Sequence, residues 1–486
     1  MPAGAVVDWP SVPHSERILR AGQLTYPGDV WAKFHLAHWL NRAGRPAEAV
    51  EFGRGALAVR PASGPLWVNL AHSQILAGRH GDAAAAARRA VEIDPAQWMA
   101  HYNLGVALYK SGRFADAEPA ARRAVALRAD DWQALLVLGA VLVELDRLPE
   151  ATALLSRSVA LNAEFAETHH QLAVALCRQG KLPEAEAESG RAAALDPGRA
   201  DLHFNRGTIL LQRGNLPEAE VALRRVTELK PADADAHSNL GTVLLRRRKP
   251  TEAEAAFRRA TEADPAHAVA HDNLGVLLND TGRLPEGEAA HRRAIAAKAD
   301  YAPAHLNLGL NLRRQKRNVE AEPSLRRAIQ LDPDEFRAHY FLGLVLMDLG
   351  RPHEAEAPFR RAIQLKPDHA ESHCKLGHVL QQRGEFRDAM AALRTGHALG
   401  TRRPGWKWPS ADWVRFAEAL VTTDARLAEV LMGKGKPADP AERRELAEFC
   451  VRFKPLPFPL GPMCAMAVLV GGRAPVERGP AARLVR

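Results

Sequence analysis

The sequence predicts an all-α protein, a right-handed α-solenoid of about eleven 34-residue helix pairs with short helical caps. Three observations carry that expectation. A glycine or alanine recurs every 34 residues, at Ala37, Ala71, Gly105, Gly139, Ala173, Gly207, Gly241, Gly275, Gly309, Gly343 and Gly377. A leucine precedes it in ten of these eleven copies, with Arg206 the one break. Proline returns in the same phase at Pro61, Pro95, Pro197, Pro231, Pro265, Pro333 and Pro367. A unit this short cannot bury its apolar face alone and must stack on its neighbours, which places function on a surface.

Each unit reads in order as helix A, turn and helix B. Leucines three residues beyond the small position, such as Leu108, Leu210 and Leu312, extend one apolar stripe along helix A. Seven residues beyond it stands Gly44, Gly78, Gly112, Gly180, Gly214, Gly282, Gly350 or Gly384, where a left-handed residue ends helix A. Asp146 tolerates that conformation, whereas Arg248 and Lys316 are strained in it. Pro149, Pro183, Pro217 or Pro285 followed by an acidic residue opens helix B. An alanine column including Ala49, Ala151, Ala253 and Ala355 lets helix A approach closely, and the periodic prolines end helix B.

Residues 30–403 carry the period without an insertion. Residues 1–29 read as an N-terminal segment with a capping helix, Ser15 its N-cap and Pro27 in the terminal-proline phase. Residues 404–450, with Trp406, Trp408, Trp413, Phe416, Leu420 and Leu427, read as C-terminal capping helices, while 451–486 is a Pro/Gly-rich tail expected to be disordered. The formal charge is +9, but 15 basic and 9 acidic residues after 400 leave only about +3 on the first 400 residues. Arg-Arg pairs such as 224–225 and 258–259 face Glu220 and Glu254 four residues earlier, so they form a solvated face and nucleic acid is not the expected partner. Cys177, Cys374, Cys450 and Cys464 show no paired spacing. No secretory signal and no apolar run of membrane-spanning length is visible, which gives a cytoplasmic expectation.

These columns resemble the tetratricopeptide repeat, with its large residue, Leu-Gly, Ala and Pro at the same offsets. Where that family usually has an aromatic, this chain has Trp67 once and otherwise mostly His101, His169, His203, His237, His271, His305, His339 and His373. The segments Tyr26–Trp31, Trp408–Val414, Asp424–Leu427 and Lys436–Asp439 look like the C-terminal arrays of planctomycete serine/threonine kinases. That resemblance implies a kinase domain before the repeats, yet this sequence has no glycine-rich phosphate loop, His-Arg-Asp or Asp-Phe-Gly. The alternative it leaves is the substrate-recruiting array of a truncated or separately encoded kinase or O-linked glycosyltransferase.

Two columns bear on function. The histidines repeat one per A helix, about 8–10 Å or more apart, too far to share one Zn²⁺ with bonds of about 2.0–2.1 Å. They are read as fillers of the aromatic position that bond a neighbouring repeat. Two residues before the small position stand Asn69, Asn103, Asn205, Asn239, Asn273 and Asn307, continued by Gln171. Asparagine is a modest helix former, so propensity does not explain the column, while its amide can both donate to and accept from a peptide backbone. This ladder is similar to that of the tetratricopeptide superhelix of O-linked N-acetylglucosamine transferase, which implies that it holds extended polypeptide on a concave surface. The other reading is that the amides bond helices of adjacent repeats. One turn or more beyond, Lys110, Arg178, Arg246 and Arg314 border the same groove, with Glu144, Asp280 and Asp348 among them. Shared repeat positions do not converge unlike groups, so no catalytic residue, metal ligand, cofactor or small-molecule substrate is expected. The sequence reads as a non-enzymatic scaffold whose partners are extended segments of other proteins.

Overall fold

The computed structural model describes residues 12–26, 28–453 and 468–469. Among these residues every regular element is a helix, and there are no strands. The chain divides into two compact units, Met1–Lys249 and Pro250–Arg486.

The first unit holds α1 (Val12–Thr25), α2 (Val30–Arg42), α3 (Pro46–Val59), α4 (Gly64–Leu76), α5 (His80–Ile93), α6 (Trp98–Lys110) and α7 (Phe114–Leu127). It continues with α8 (Trp132–Glu144), α9 (Leu148–Leu161), α10 (Ala166–Arg178), α11 (Leu182–Leu195), α12 (Ala200–Arg213), α13 (Leu216–Leu229) and α14 (Ala234–Arg246). The second unit holds α15 (Pro250–Ala263), α16 (Ala268–Asp280), α17 (Leu284–Ala297), α18 (Ala302–Arg314), α19 (Asn318–Leu331) and α20 (Phe336–Asp348). After these come α21 (Pro352–Leu365), α22 (Ala370–Gln382), α23 (Phe386–Thr401), α24 (Ser410–Leu431) and α25 (Pro440–Phe453). Ser15 falls inside α1 and does not cap it, because the helix starts at Val12. Pro27 and most of the segment after Phe453 lie outside the described residues. Val468 is buried in a cluster with Phe386, Leu420, Leu446 and Phe449.

The small column has a volume partner sixteen residues later. At Gly139, Gly207, Gly309, Gly343 and Gly377 a Cβ would come within 2.5–2.7 Å of Leu155, Leu223, Leu325, Phe359 and Leu393. Where the column is alanine, at Ala37, Ala71 and Ala173, the residue sixteen later is small: Gly53, Ala87 and Ser189. These helix pairs therefore fill their cores by exchanging volume across two registers, as close packing requires, whereas Gly105 meets the small Ala121.

Helix A ends as its sequence demands. Gly350 adopts φ 72°, and Arg351 N–H reaches back to Leu346 O at 2.8 Å, satisfying a terminal carbonyl. Asp146, Arg248 and Lys316 hold the same left-handed conformation at φ 58°, 60° and 62° without the glycine that makes it inexpensive.

The histidine column solves a local backbone problem. Nε2 of His101, His169, His203, His237, His271, His305, His339 and His373 donates to the carbonyl six residues earlier at 2.9–3.1 Å, in the turn after the preceding helix B. Trp67 Nε1 makes the same bond to Pro61 O at 2.8 Å. What the position needs is a planar ring with an N–H donor.

Candidate peptide-binding face

On each A helix the ladder residue sits in a stripe of spacing 4, 3 and 4, the side not turned towards helix B. On α12 the stripe is Asp201, Asn205, Thr208 and Gln212; on α14 it is Asp235, Asn239, Thr242 and Arg246; on α10 it is Glu167, Gln171, Val174 and Arg178. Acidic residues at the three helix starts, and Arg246 and Arg178 at the ends of α14 and α10, complement the helix dipoles.

Four of the ladder amides donate to the preceding A helix, always to the residue 35 positions earlier. Asn69 reaches Phe34 O at 3.5 Å, Asn103 reaches Val68 O at 3.0 Å and Asn205 reaches His170 Nδ1 at 3.3 Å, all in the first unit. Asn307, in the second, bonds both carboxylate oxygens of Asp272 at 3.1 and 2.9 Å. Asn103 is 1% exposed, so its amide is wholly committed to the stack. Gln171 donates to Glu167 on its own helix at 2.8 Å. Asn239 and Asn273 are half-buried and make no side-chain hydrogen bond among the described residues.

The basic border divides similarly. Arg178 donates to Val143 O at 2.9 Å and lies 3.7 Å from Glu144. Arg314 repeats this with Asn279 O at 3.3 Å and Asp280 at 3.7 Å, so both guanidinium groups cap the end of the preceding A helix. Lys110 and Arg246 are exposed. Lys110 lies 5.9 Å from the Tyr109 ring centre.

Within the first unit the stripe opens on a groove of about 410 Å³ lined by His170, Ala200, Asp201, Phe204, Asn205, Thr208, Lys230, Asp233 and Asp235. Burial pushes the His170 imidazole towards its neutral form, although Glu167 and Asp201 oppose this. Burial raises the Glu167 carboxyl, but Gln171 and Arg199 outweigh it and hold the group below the usual carboxylate range. Arg199 clamps Glu167 at 2.8 Å and Asp201 at 2.5 Å. Of this lining the sequence reading named only Asn205; the signal for Asp201 and Thr208 was the helical spacing around it. His170 bonds the next ladder amide, Asn205, and that link is visible only in three dimensions; Phe204 stands at the same register on α12. A second depression of about 470 Å³, beside Gly44–Glu48 and Leu76–Arg79, holds none of the column residues.

Models of the tetratricopeptide repeat match residues 68–128, 102–164, 238–303 and 306–370, and a further tetratricopeptide model matches 176–241. The chain belongs to the tetratricopeptide repeat family. Repeats of this family form interaction modules that are generally non-catalytic, and at that level the array is a protein-interaction scaffold. Among solved structures, yeast Tom70 is similar at 15% identity over 88% of this chain and 100% of its own, with a TM-score of 0.41. PilF of Pseudomonas aeruginosa is 23% identical over 45% of this chain and 96% of its own, TM-score 0.40. YrrB, described as a tetratricopeptide protein with an unusual peptide-binding site, is 23% identical over 38% of this chain and 95% of its own, TM-score 0.32. No curated protein matches.

Among the described residues of the array, no three histidine, cysteine or acidic side chains gather as a metal site. No described helix is long and apolar enough to cross a membrane. Cys177 and Cys374 are free thiols, and Cys464 lies outside the described residues.

Proposed function

We propose that this tetratricopeptide array is a non-catalytic cytoplasmic scaffold that holds extended segments of other proteins against its A-helix stripes. In this reading residues 30–403 form the binding array, and the flanking helices cap it. The observation that carries the proposal is the groove around Asn205, where a ladder amide, the Phe204 ring and the Asp201 carboxylate converge on open volume. An extended backbone offers N–H and C=O groups that an amide can meet whatever the side chains are, and the charged border then selects among sequences. Half-buried Asn205 and Asn307 offer a partner their carbonyl oxygens, because each N–H₂ is engaged within the stack, while Asn69, whose oxygen accepts from Ser73 Oγ at 3.4 Å, and buried Asn103 brace the helices behind that face. Asn239 and Asn273 offer both groups. Lys110 and Arg246 add exposed cations, while Arg178, Arg314 and Gln171 shape the border from fixed positions.

The test is capture of proteins from native lysate by the wild-type chain and by Asn239→Ala/Asn273→Ala, after matching helicity by circular dichroism. Loss of captured proteins by the variant is the expected result. Undiminished capture removes the ladder from the binding face.

A further inference from the structure

One repeat of the second unit is built differently from its neighbours. At the register where α15, α19, α21 and α23 place Phe257, Leu325, Phe359 and Leu393, α17 places His291, which is fully buried. Three further positions change with it. Gly287 replaces the alanine of Ala321 and Ala355, and a Cβ there would collide with the Asn279 amide. Asn311 replaces Val345 and Val379, and Asp272, only 3% exposed, stands where later helices have Leu306 and Tyr340.

These side chains join into a hydrogen-bond chain that crosses the repeat. His291 Nδ1 lies 2.7 Å from Asp272 Oδ1, and Asn279 Nδ2 lies 3.0 Å from His291 Nε2. Asn311 Nδ2 donates to Asn279 Oδ1 and, at 2.9 Å, to Leu284 O. Gln315 Nε2 donates to Asn311 Oδ1 at 2.6 Å and to Glu288 Oε2 at 2.9 Å, and Arg317 closes the chain on Glu288 at 2.6 Å. Along the links from Gln315 through Asn311, Asn279 and His291, each donor points towards Asp272. A carboxylate accepts at one end of the imidazole and an amide N–H₂ donates at the other, which fits neutral His291 with its proton on Nδ1.

We propose that this chain is a proton-operated joint between the α16–α17 pair and α18. A proton added at Nε2 meets the Asn279 N–H₂ donor to donor. Relief requires Asn279 to turn its oxygen to the ring, and then Asn311 and Gln315 to turn in sequence. That reversal forfeits the Asn311 bond to Leu284 O and the Gln315 bond to Glu288. Asn279, His291, Leu284 and Glu288 belong to α16 and α17, whereas Asn311 belongs to α18 and Gln315 to its end. Protonation therefore loosens the seam to α18. The charged and titratable groups around the chain are Asp272 on α16, Glu288 and Arg292 on α17, Tyr301 at the head of α18, and Arg317 beyond α18. His271, beside Asp272 on α16, turns its Nε2 to Pro265 O instead. Fully satisfied buried networks of this kind have two directions of donors and few states between them.

The test is amide hydrogen–deuterium exchange of the full chain from about pH 8 to 5, the window in which histidines change charge, with rates corrected for intrinsic exchange. The expected result is an acid-dependent acceleration in Ala302–Arg314 of about tenfold, as for two lost hydrogen bonds of ordinary net strength, with Phe336–Asp348 unchanged. The variant Asp272→Leu/Asn279→Leu/His291→Leu/Asn311→Val, which installs residues the array already uses at these registers, should abolish it. No acceleration in the wild type, or the same acceleration in the variant, overturns the proposal. Independently of that variant, ¹⁵N spectra of histidine-labelled protein at pH 8, assigned with His291→Gln, should show the proton on Nδ1; a proton on Nε2 overturns it.

Discussion

Asparagines in one column do unequal work, because burial differs along it. Asn103 is almost wholly buried and ties α6 to Val68 O, so Asn103→Ala removes a buried hydrogen bond between helices together with the packing of its amide. That should cost about 1–3 kcal/mol. Asn239→Ala removes a half-buried amide with no such bond and should change stability by about 0.5 kcal/mol or less. Urea titration followed by circular dichroism checks both. The histidine column makes a different test, since its function is an N–H donor to the turn. His305→Trp should retain stability, as Trp67 already bonds Pro61 O in this way. His305→Phe keeps the ring, loses the donor and should cost about 1 kcal/mol in the same titration.

Helix pairs are held by exchange of volume, which the sequence displayed as a glycine column without showing its partner. The 34-residue phase, the left-handed turns and the terminal prolines were legible because each depends on local backbone sterics. The compensation between Gly343 and Phe359, or Ala71 and Ala87, was not, since the two registers lie on different helices and only packing relates them. Gly343→Ala should overpack the α20–α21 core and cost about 1–3 kcal/mol. Adding Phe359→Ala should relieve that clash, so the two changes together cost less than the sum of their single effects. Four thermal melts, of the wild type, the singles and the double, measure the coupling.

Across the whole molecule, charge is arranged as repeated clamps. Glu254, Glu288 and Glu322 each bind the arginine four residues later, and the next repeat's Arg283, Arg317 or Arg351 binds the same carboxylate. The first contact was legible from helical spacing; the second, 29 residues on, was not, because it depends on how one pair stacks on the next. The Arg258 hydrogen bond, opposed by burial and aided by Arg283, holds the Glu254 carboxyl below its ordinary range. Its folded-state affinity for protons is thus lower than that of the unfolded chain. The stabilisation is complete above the unfolded carboxylate value of about 4.3 and is lost as pH falls through the lower folded value. The clamps' contribution to thermal stability should therefore hold from about pH 8 to 5 and be lost below about pH 4, less steeply in 1 M salt, which screens exposed pairs. The candidate site was legible only as a column of amides, because the residues that line the Asn205 groove come from α10, α12, α14 and the turn after α13. Whether partners lie on that face is tested most directly by photo-crosslinking, with a photoreactive side chain placed at Thr208 or Asn239 on A helices and at Arg225 or Arg259 on B helices. Crosslinks to short stretches of other proteins from the A-helix positions, with none from the B-helix positions, are the result this account predicts. Crosslinks confined to the B-helix positions would contradict it.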